Sequence, residues 1–245
     1  MEKLLINLKH QYEEKGIVVI PNVFTEEECD KIKHQAYLTT DQQIKQAGYP
    51  HSPSEQAYNK KSLIFFPALA NEYLNKVRTD KRMVDLVKFF IGNDVKQINN
   101  QIYFREKGDN DQFAWHQDIM FREGHNFNGD VEDDYFQTII VVDDITEENG
   151  AIEFIEGSHK TMKINAPNNL RLFERGNWKG TKYIAKKGDV LIWSVMTVHG
   201  SESNNSNSDR MTYMNGFCRS KATTTYPDYL VSGKLVDKIN PELIP

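Results

Sequence analysis

Four side chains set the chemistry that this sequence can support: His116, Asp118, His199 and Arg210. The first two sit in Trp115-His116-Gln117-Asp118. Residues two apart on a strand point to the same face, so an imidazole and a carboxylate there can share one metal ion. His199 follows the apolar stretch Gly188-Asp189-Val190-Leu191-Ile192-Trp193, which reads as a strand. Two neutral imidazoles and one carboxylate form the facial donor set of non-haem iron(II) sites, leaving three positions of a six-coordinate ion open. A chelating co-substrate and O2 can occupy those positions. Arg210 comes eleven residues after His199 and starts the apolar run Met211–Cys218. A dicarboxylic co-substrate needs a fixed cation for its remote carboxylate, and a guanidinium offers a two-pronged donor that an ammonium lacks. Ser201 can add a hydroxyl to the same carboxylate. An HxD pair alone carries little, since seven histidines and many aspartates produce such pairs by chance. The four residues together carry the reading.

The elements that must position them divide the chain in two. Residues 1–95 read as mostly helical. Leu4, Leu5, Leu8 and Tyr12 recur at helical spacing, and Gly16 can end that helix. Ile17-Val18-Val19-Ile20 is a β-branched run, hence a strand. Thr25 with Glu28 makes a capping box that opens a helix to about Thr39. Residues 40–62 are polar, with Gly48, Pro50 and Pro53, and read as a loop with short helical pieces. Met83, Leu86, Val87 and Phe90 mark a further helix, stopped near Gly92. Beyond residue 95 the period changes. Strands are expected at Gln97–Phe104, Phe113–Asp118, Phe136–Val142, Ala151–Ile155, Thr181–Ile184, Val190–Trp193 and Met211–Cys218, separated by turn residues such as Glu148-Asn149-Gly150 and Lys187-Gly188-Asp189. Many short strands suggest a double-sheet jelly roll or barrel. No repeat and no domain boundary is evident. We expect one domain over residues 1–245, helical over its first 95 residues and with a β core over residues 96–220.

With these pieces in place, the sequence resembles the phytanoyl-CoA dioxygenase family of iron(II)- and 2-oxoglutarate-dependent oxygenases. The resemblance rests on WHQD at 115–118, DDITEENGAIEFIEGSHK at 143–160, GDVLIW at 188–193, HGS at 199–201 and Arg210. It covers about residues 97–220 and, less closely, VVIPNVFTEEECDKI near the N-terminus. It implies a mainly β fold with flanking helices around a double-stranded β-helix. It implies iron ligation by His116, Asp118 and His199, and binding of the 2-oxoglutarate carboxylate by Arg210 and Ser201. Gln137 matches a position that often faces the co-substrate. The implied reaction is an oxidation, coupled to decarboxylation of 2-oxoglutarate and consuming O2. Related halogenases have a small residue in place of the carboxylate; Asp118 favours hydroxylation or a similar oxidation.

Other residues read more plainly. His159, in Gly157-Ser158-His159-Lys160, is expected to fix a loop, as the same element does in the family without binding metal. His125 reads as a loop residue, and His10, His34 and His51 as surface residues. Trp115 and Trp193 read as core aromatics, and the run Asp130–Asp134 as a solvated loop. Segments 40–62, 121–135 and 164–180 are long enough to act as lids. Phe121, Arg122, Phe127 and Tyr135 follow the ligands closely and are candidate substrate contacts.

Composition bounds the class. The chain has 245 residues, 39% hydrophobic and 27% charged, with a net charge of −5. No basic tract is present, which speaks against nucleic acid as partner or substrate and against a coenzyme A tail. A small-molecule substrate is therefore expected. A protein substrate and a non-catalytic jelly-roll binding protein are the alternatives; the intact ligand set argues against the latter. The two cysteines, Cys29 and Cys218, form no zinc pattern, and reduced thiols in the cytoplasm are expected. No signal peptide and no 18-residue apolar run is seen, so no membrane association is expected. The sequence carries no signal of oligomeric state.

Overall fold

The computed structural model describes residues 2–48, 63–110, 112–122, 135–161 and 179–244. Two facing sheets and a layer of helices result from the change of period near residue 95. Strand β3 (Val95–Arg105) shows the principle. Its side chains alternate between two faces. Ile102 enters the apolar cluster beneath the helices, whereas Asn99, Gln101, Tyr103 and Arg105 line a cavity on the other side.

The larger sheet contains eight antiparallel strands in the order β1-β8-β5-β10-β3-β11-β12, with β2 also paired to β3. These are β1 (Ile17–Ile20), β2 (Leu63–Phe65), β5 (Tyr135–Val141), β8 (Val190–Ser194), β10 (Arg210–Arg219), β11 (Asp228–Val231) and β12 (Lys234–Leu235). The smaller sheet has the order β4-β9-β6-β7, with β4 (Phe113–His116), β6 (Ile152–Phe154), β7 (Thr181–Tyr183) and β9 (His199–Ser201). This is the double-stranded β-helix architecture, mainly β with flanking helices.

Among the described residues, helices of the N-terminal part flank it: α1 (Glu2–Lys15), α2 (Glu26–Leu38), α3 (Asp41–Gln46), α4 (Glu72–Arg78) and α5 (Lys81–Phe90). The expected capping box opens α2, with Glu28 N donating to Thr25 Oγ1 and Thr25 N to the Glu28 carboxylate. Ile32, Leu74, Met83 and Val87 of the helices pack against Ile140, Ile192 and Tyr213 of the larger sheet. On its opposite face, Ile139, Leu191 and Trp193 pack with Phe154 of the smaller sheet. The central strands β5 and β8 are thus covered on both sides, which explains the apolar runs Ile139–Val141 and Val190–Trp193 within them.

Most expected elements form within one or two residues of their predicted ends. Three differences affect the site or the sheet. Strand β4 stops at His116, and Asp118 opens a 3-10 turn, Asp118–Arg122. Strand β9 is too short for any alternation to show. The larger sheet also reaches outside residues 96–220, through β1 and β2 on one side and β11 and β12 on the other. The β11–β12 hairpin closes through Ser232-Gly233, both at positive φ, a turn signal absent from the expected set. Of the expected lid segments, 49–62, 123–134 and 162–178 lie outside the described residues; the beginning of 40–62 forms α3. No described helix is long and apolar enough to cross a membrane.

Candidate active site

The smaller sheet brings His116 and His199 together. They are cross-strand partners in the β4–β9 ladder, with ring centroids 4.1 Å apart. Gly200 makes this approach possible, because a Cβ there would lie 2.8 Å from the Phe113 carbonyl oxygen. Each imidazole is oriented by the carbonyl two residues before it: His116 Nδ1 donates to Ala114 O at 2.7 Å, and His199 Nδ1 to Thr197 O at 2.9 Å. The Nε2 lone pairs are therefore left for a ligand bond, in the manner typical of metal-binding histidines. Phe154 stacks on His199 at 5.3 Å, and Phe121 meets the His116 ring edge-on at 5.4 Å.

Asp118 joins them from the 3-10 turn, not as the second residue of a strand pair. The turn is pinned by Ile119 N to Val195 O and by Gln117 Nε2 to Met196 O. Asp118 Oδ1 lies 3.7 Å from His116 Nε2, and Oδ2 lies 3.7 Å from His199 Nε2. These separations are too long for hydrogen bonds. They match ligand atoms that share one ion, which at bond lengths of about 2.1 Å lie roughly 3–4 Å apart. One ligand atom from each residue lies within 4.8 Å of the others.

Protonation favours the same use. Burial raises the Asp118 carboxyl, but His199, His116 and the Trp193 N–H outweigh it and hold the group down at about 2. Burial and the neighbouring His116 push His199 down to about 4, against the pull of Asp118. At neutral pH the site therefore presents an anionic carboxylate and a neutral imidazole, the forms that bind metal. Two imidazoles and one carboxylate suit ferrous iron and leave coordination positions open.

The cavity beside this group measures about 320 Å3. His116, Asp118, His199, Ser201, Arg210, Gln137, Phe121 and Arg122 all line it. Arg210 is held by Nη1 donating to Gly150 O at 2.7 Å, while its buried Nε has no hydrogen-bond partner. That orphan donor fits a carboxylate. Burial and the adjacent Arg105 draw the Arg210 guanidinium down to about 9, so an anion between them would relieve both strains. Tyr135 stands behind the wall: its hydroxyl accepts from Gln137 Nε2 at 3.0 Å and from Arg122 Nε at 3.3 Å. Phe127 lies outside the described residues.

Two residues of the site are not among those expected from the sequence. Arg105 is the cross-strand partner of Arg210 and donates through Nη2 to Ser201 Oγ at 2.5 Å. The period-two polar series Asn99, Gln101, Tyr103, Arg105 is the signal that could have found it. Trp193, expected to be a plain core residue, donates its indole N–H to Asp118 Oδ2 at 2.8 Å. Only the fold reveals that contact. His159 is structural as expected: its Nε2 pairs with Glu13 O at 3.2 Å.

Comparison with known proteins agrees with this geometry. A sequence model of the phytanoyl-CoA dioxygenase (PhyH) family matches residues 12–212. The chain belongs to the phytanoyl-CoA dioxygenase family. It is an oxidoreductase of the class that depends on iron(II), 2-oxoglutarate and O2 and acts on small molecules. Among family relatives, a probable alpha-ketoglutarate-dependent hypophosphite dioxygenase of Stutzerimonas stutzeri is 27% identical, with 92% of this chain and 85% of the relative aligned. An ectoine dioxygenase of Stutzerimonas stutzeri (strain A1501) is 23% identical over 80% of this chain and 71% of its own. In fold, this phytanoyl-CoA dioxygenase family member resembles the epimerase SnoN, solved with Fe3+, alpha ketoglutarate and nogalamycin RO. The TM-score is 0.70 at 15% identity, covering 90% of this chain and 85% of the other. It also resembles EctD from S. alaskensis, with a TM-score of 0.69 at 17% identity over 96% and 86% of the two chains.

Proposed function

We propose that His116, Asp118 and His199 ligate one ferrous ion, and that Arg210 and Ser201 receive the remote carboxylate of 2-oxoglutarate. One observation carries this reading: the three donor atoms converge within 4.8 Å at the wall of the same cavity that Arg210 and Ser201 line. When bound, iron and 2-oxoglutarate supply the activation of O2 for substrate oxidation, chemistry that belongs to the cofactor. The side chains supply placement. Ala114 O and Thr197 O fix the imidazole rings, Trp193 fixes the carboxylate, and Phe113, Phe121 and Phe154 shield the rings from water. Arg105 steadies Ser201, so the two arginines and the hydroxyl form one anion-binding end.

The substrate in this reading is a compact metabolite. A cavity of about 320 Å3 is at the low end of the roughly 300–1,000 Å3 usual for ligand sites, and it must also hold the co-substrate. Phe121 and Arg122, with Tyr135 behind them, are the proposed substrate contacts, and Gln137 faces the same space. Asp118 favours hydroxylation or a related oxidation over halogenation. The acidic net charge speaks against nucleic acid. Two buried cysteines that form no disulfide suit a cytoplasmic setting. The larger sheet binds N- and C-terminal strands to the core, in keeping with a single domain over residues 1–245.

The test is succinate formation from 2-oxoglutarate by protein reconstituted with ferrous ion, with hypophosphite, ectoine and other small metabolites as trial substrates. We expect iron-dependent succinate that disappears in His199→Ala. No iron-dependent succinate under any of these conditions would refute the assignment.

A further inference from the structure

The turn Gly157-Ser158-His159 is outside the donor set of the metal site, yet it and the end of α1 both bind the segment Trp193–His199 that joins β8 to β9. That segment aims two of the three donors. Trp193 bonds to the Asp118 carboxylate, Val195 O and Met196 O hold the turn that carries it, and Thr197 O receives His199 Nδ1. Its polar side chains, Ser194 and Thr197, are buried.

Two anchors outside the site fix this segment. The first is Gly16, the residue after α1. Its carbonyl oxygen accepts from Thr197 Oγ1 at 2.8 Å and from Ser194 N at 3.0 Å. Gly16 has a φ of +76°, and a Cβ there would collide with Thr197 Oγ1 and the His159 ring, so glycine is what lets the two chains approach. The second anchor is Ser158, whose Oγ accepts from Val198 N at 2.9 Å, next to His199 in the chain. The anchors are also tied to each other. Gly157 N donates to Lys15 O at 2.9 Å and His159 Nε2 meets Glu13 O at 3.2 Å, which satisfies carbonyls left open at the end of α1. The β6–β9 ladder sets where the His199 backbone lies, while its ring follows Thr197 O.

We propose that Thr197 and Ser158 are positioning residues of the metal site, through which the end of α1 and the Gly157-Ser158-His159 turn set the direction of the His199 ring. Removing either hydroxyl leaves Gly16 O or Val198 N short of a bond in a buried place. The peptide that carries Thr197 O then loses one of its two ties. The inference rests on His199 being an iron ligand.

The test is the dissociation constant of ferrous ion from the folded protein, by anaerobic equilibrium dialysis well below the melting transition. Thr197→Val keeps the shape and removes the hydroxyl, and Ser158→Ala removes the acceptor. Each should weaken iron binding about tenfold, as for other lost supporting bonds around a metal. At saturating iron the half-saturating 2-oxoglutarate concentration should stay at the wild-type value, because the Arg210 end is untouched. Thr197→Ser keeps the hydroxyl and should restore wild-type iron affinity. Packing alone would rank the two Thr197 variants the other way, since serine leaves a methyl-sized gap. Wild-type affinity in both Thr197→Val and Ser158→Ala overturns the proposal, as does a Thr197→Ser variant that binds iron as weakly as Thr197→Val. If Thr197→Val fails to fold, wild-type affinity in Ser158→Ala overturns it alone. If His199→Ala binds iron as the wild type does, the ligand assignment falls first; if His199→Ala loses iron and the two hydroxyl variants do not, only this inference falls.

Discussion

The indole N–H of Trp193 donates to Asp118 Oδ2 at 2.8 Å, while both oxygens of that carboxylate face histidine nitrogens at 3.7 Å. A residue in the apolar core of β8 thereby aims a side chain of the triad. The bond leaves the carboxylate one fixed rotation, with Oδ1 toward His116 and Oδ2 toward His199.

Replacing Trp193 with Phe keeps most of the packing against Phe154 and removes only the donor. Loss of such a supporting bond typically costs about 10–100-fold in metal affinity. Iron titration should therefore show weaker binding, with a stability loss of about 1–3 kcal/mol from the unmet carboxylate in chemical denaturation. Unchanged iron affinity would show that Asp118 needs no such guide.

Arg210 tests the anion-binding end. Arg210→Lys keeps the charge but loses the fork, so the half-saturating 2-oxoglutarate concentration should rise about tenfold or more. Steady-state succinate assays over a range of 2-oxoglutarate measure it. An unchanged requirement would transfer the role to Arg105, its neighbour across the ladder.

Buried thiol and phenol groups set an alkaline limit. Burial raises Cys29 from an ordinary 9.0 to about 12 and Tyr226 from 10.0 to about 12, and it raises Tyr213 and Tyr229 as well. The unfolded chain releases these protons near pH 9–10, whereas the folded chain keeps them to about pH 12. Above pH 9 the unfolded state thus binds fewer protons, and stability falls as pH rises. The melting temperature should hold steady from about pH 7 to 8.5 and drop progressively from about pH 9 to 11. A flat profile to about pH 11 would contradict the burial of these groups.

Thr25 closes the start of α2 by reciprocal bonds with Glu28. Thr25→Ala should cost about 1 kcal/mol of stability, measured by denaturant titration, with no change in iron binding. A loss of iron affinity would mean that the helical layer governs the site more tightly than its packing suggests.

How much of this is legible in the chain depends on the range of each contact. Thr25–Glu28, the helical stripe through Met83, Leu86, Val87 and Phe90, and the apolar runs of β5 and β8 follow local rules and are readable. The ligand types are readable too, because few other roles need His, Asp, His and Arg in that order. The local geometry of Asp118 is not: a spacing of two places it on a strand, yet the chain turns directly after His116. Arg105 ends the period-two polar series of β3 and is found only by following that series to its last member, where a terminal arginine otherwise reads as solvent-facing. The Trp193–Asp118 bond links residues 75 apart in sequence, and only the closure of the two sheets creates it.

Anaerobic equilibrium dialysis with ferrous ion tests the shared metal site most directly. One tightly bound ion per chain is expected in the wild type and in Arg210→Lys. Binding should weaken at least about tenfold when His116, Asp118 or His199 is changed singly to Ala, since each change removes a direct ligand. Wild-type affinity in any of those three variants would contradict a site built from these residues.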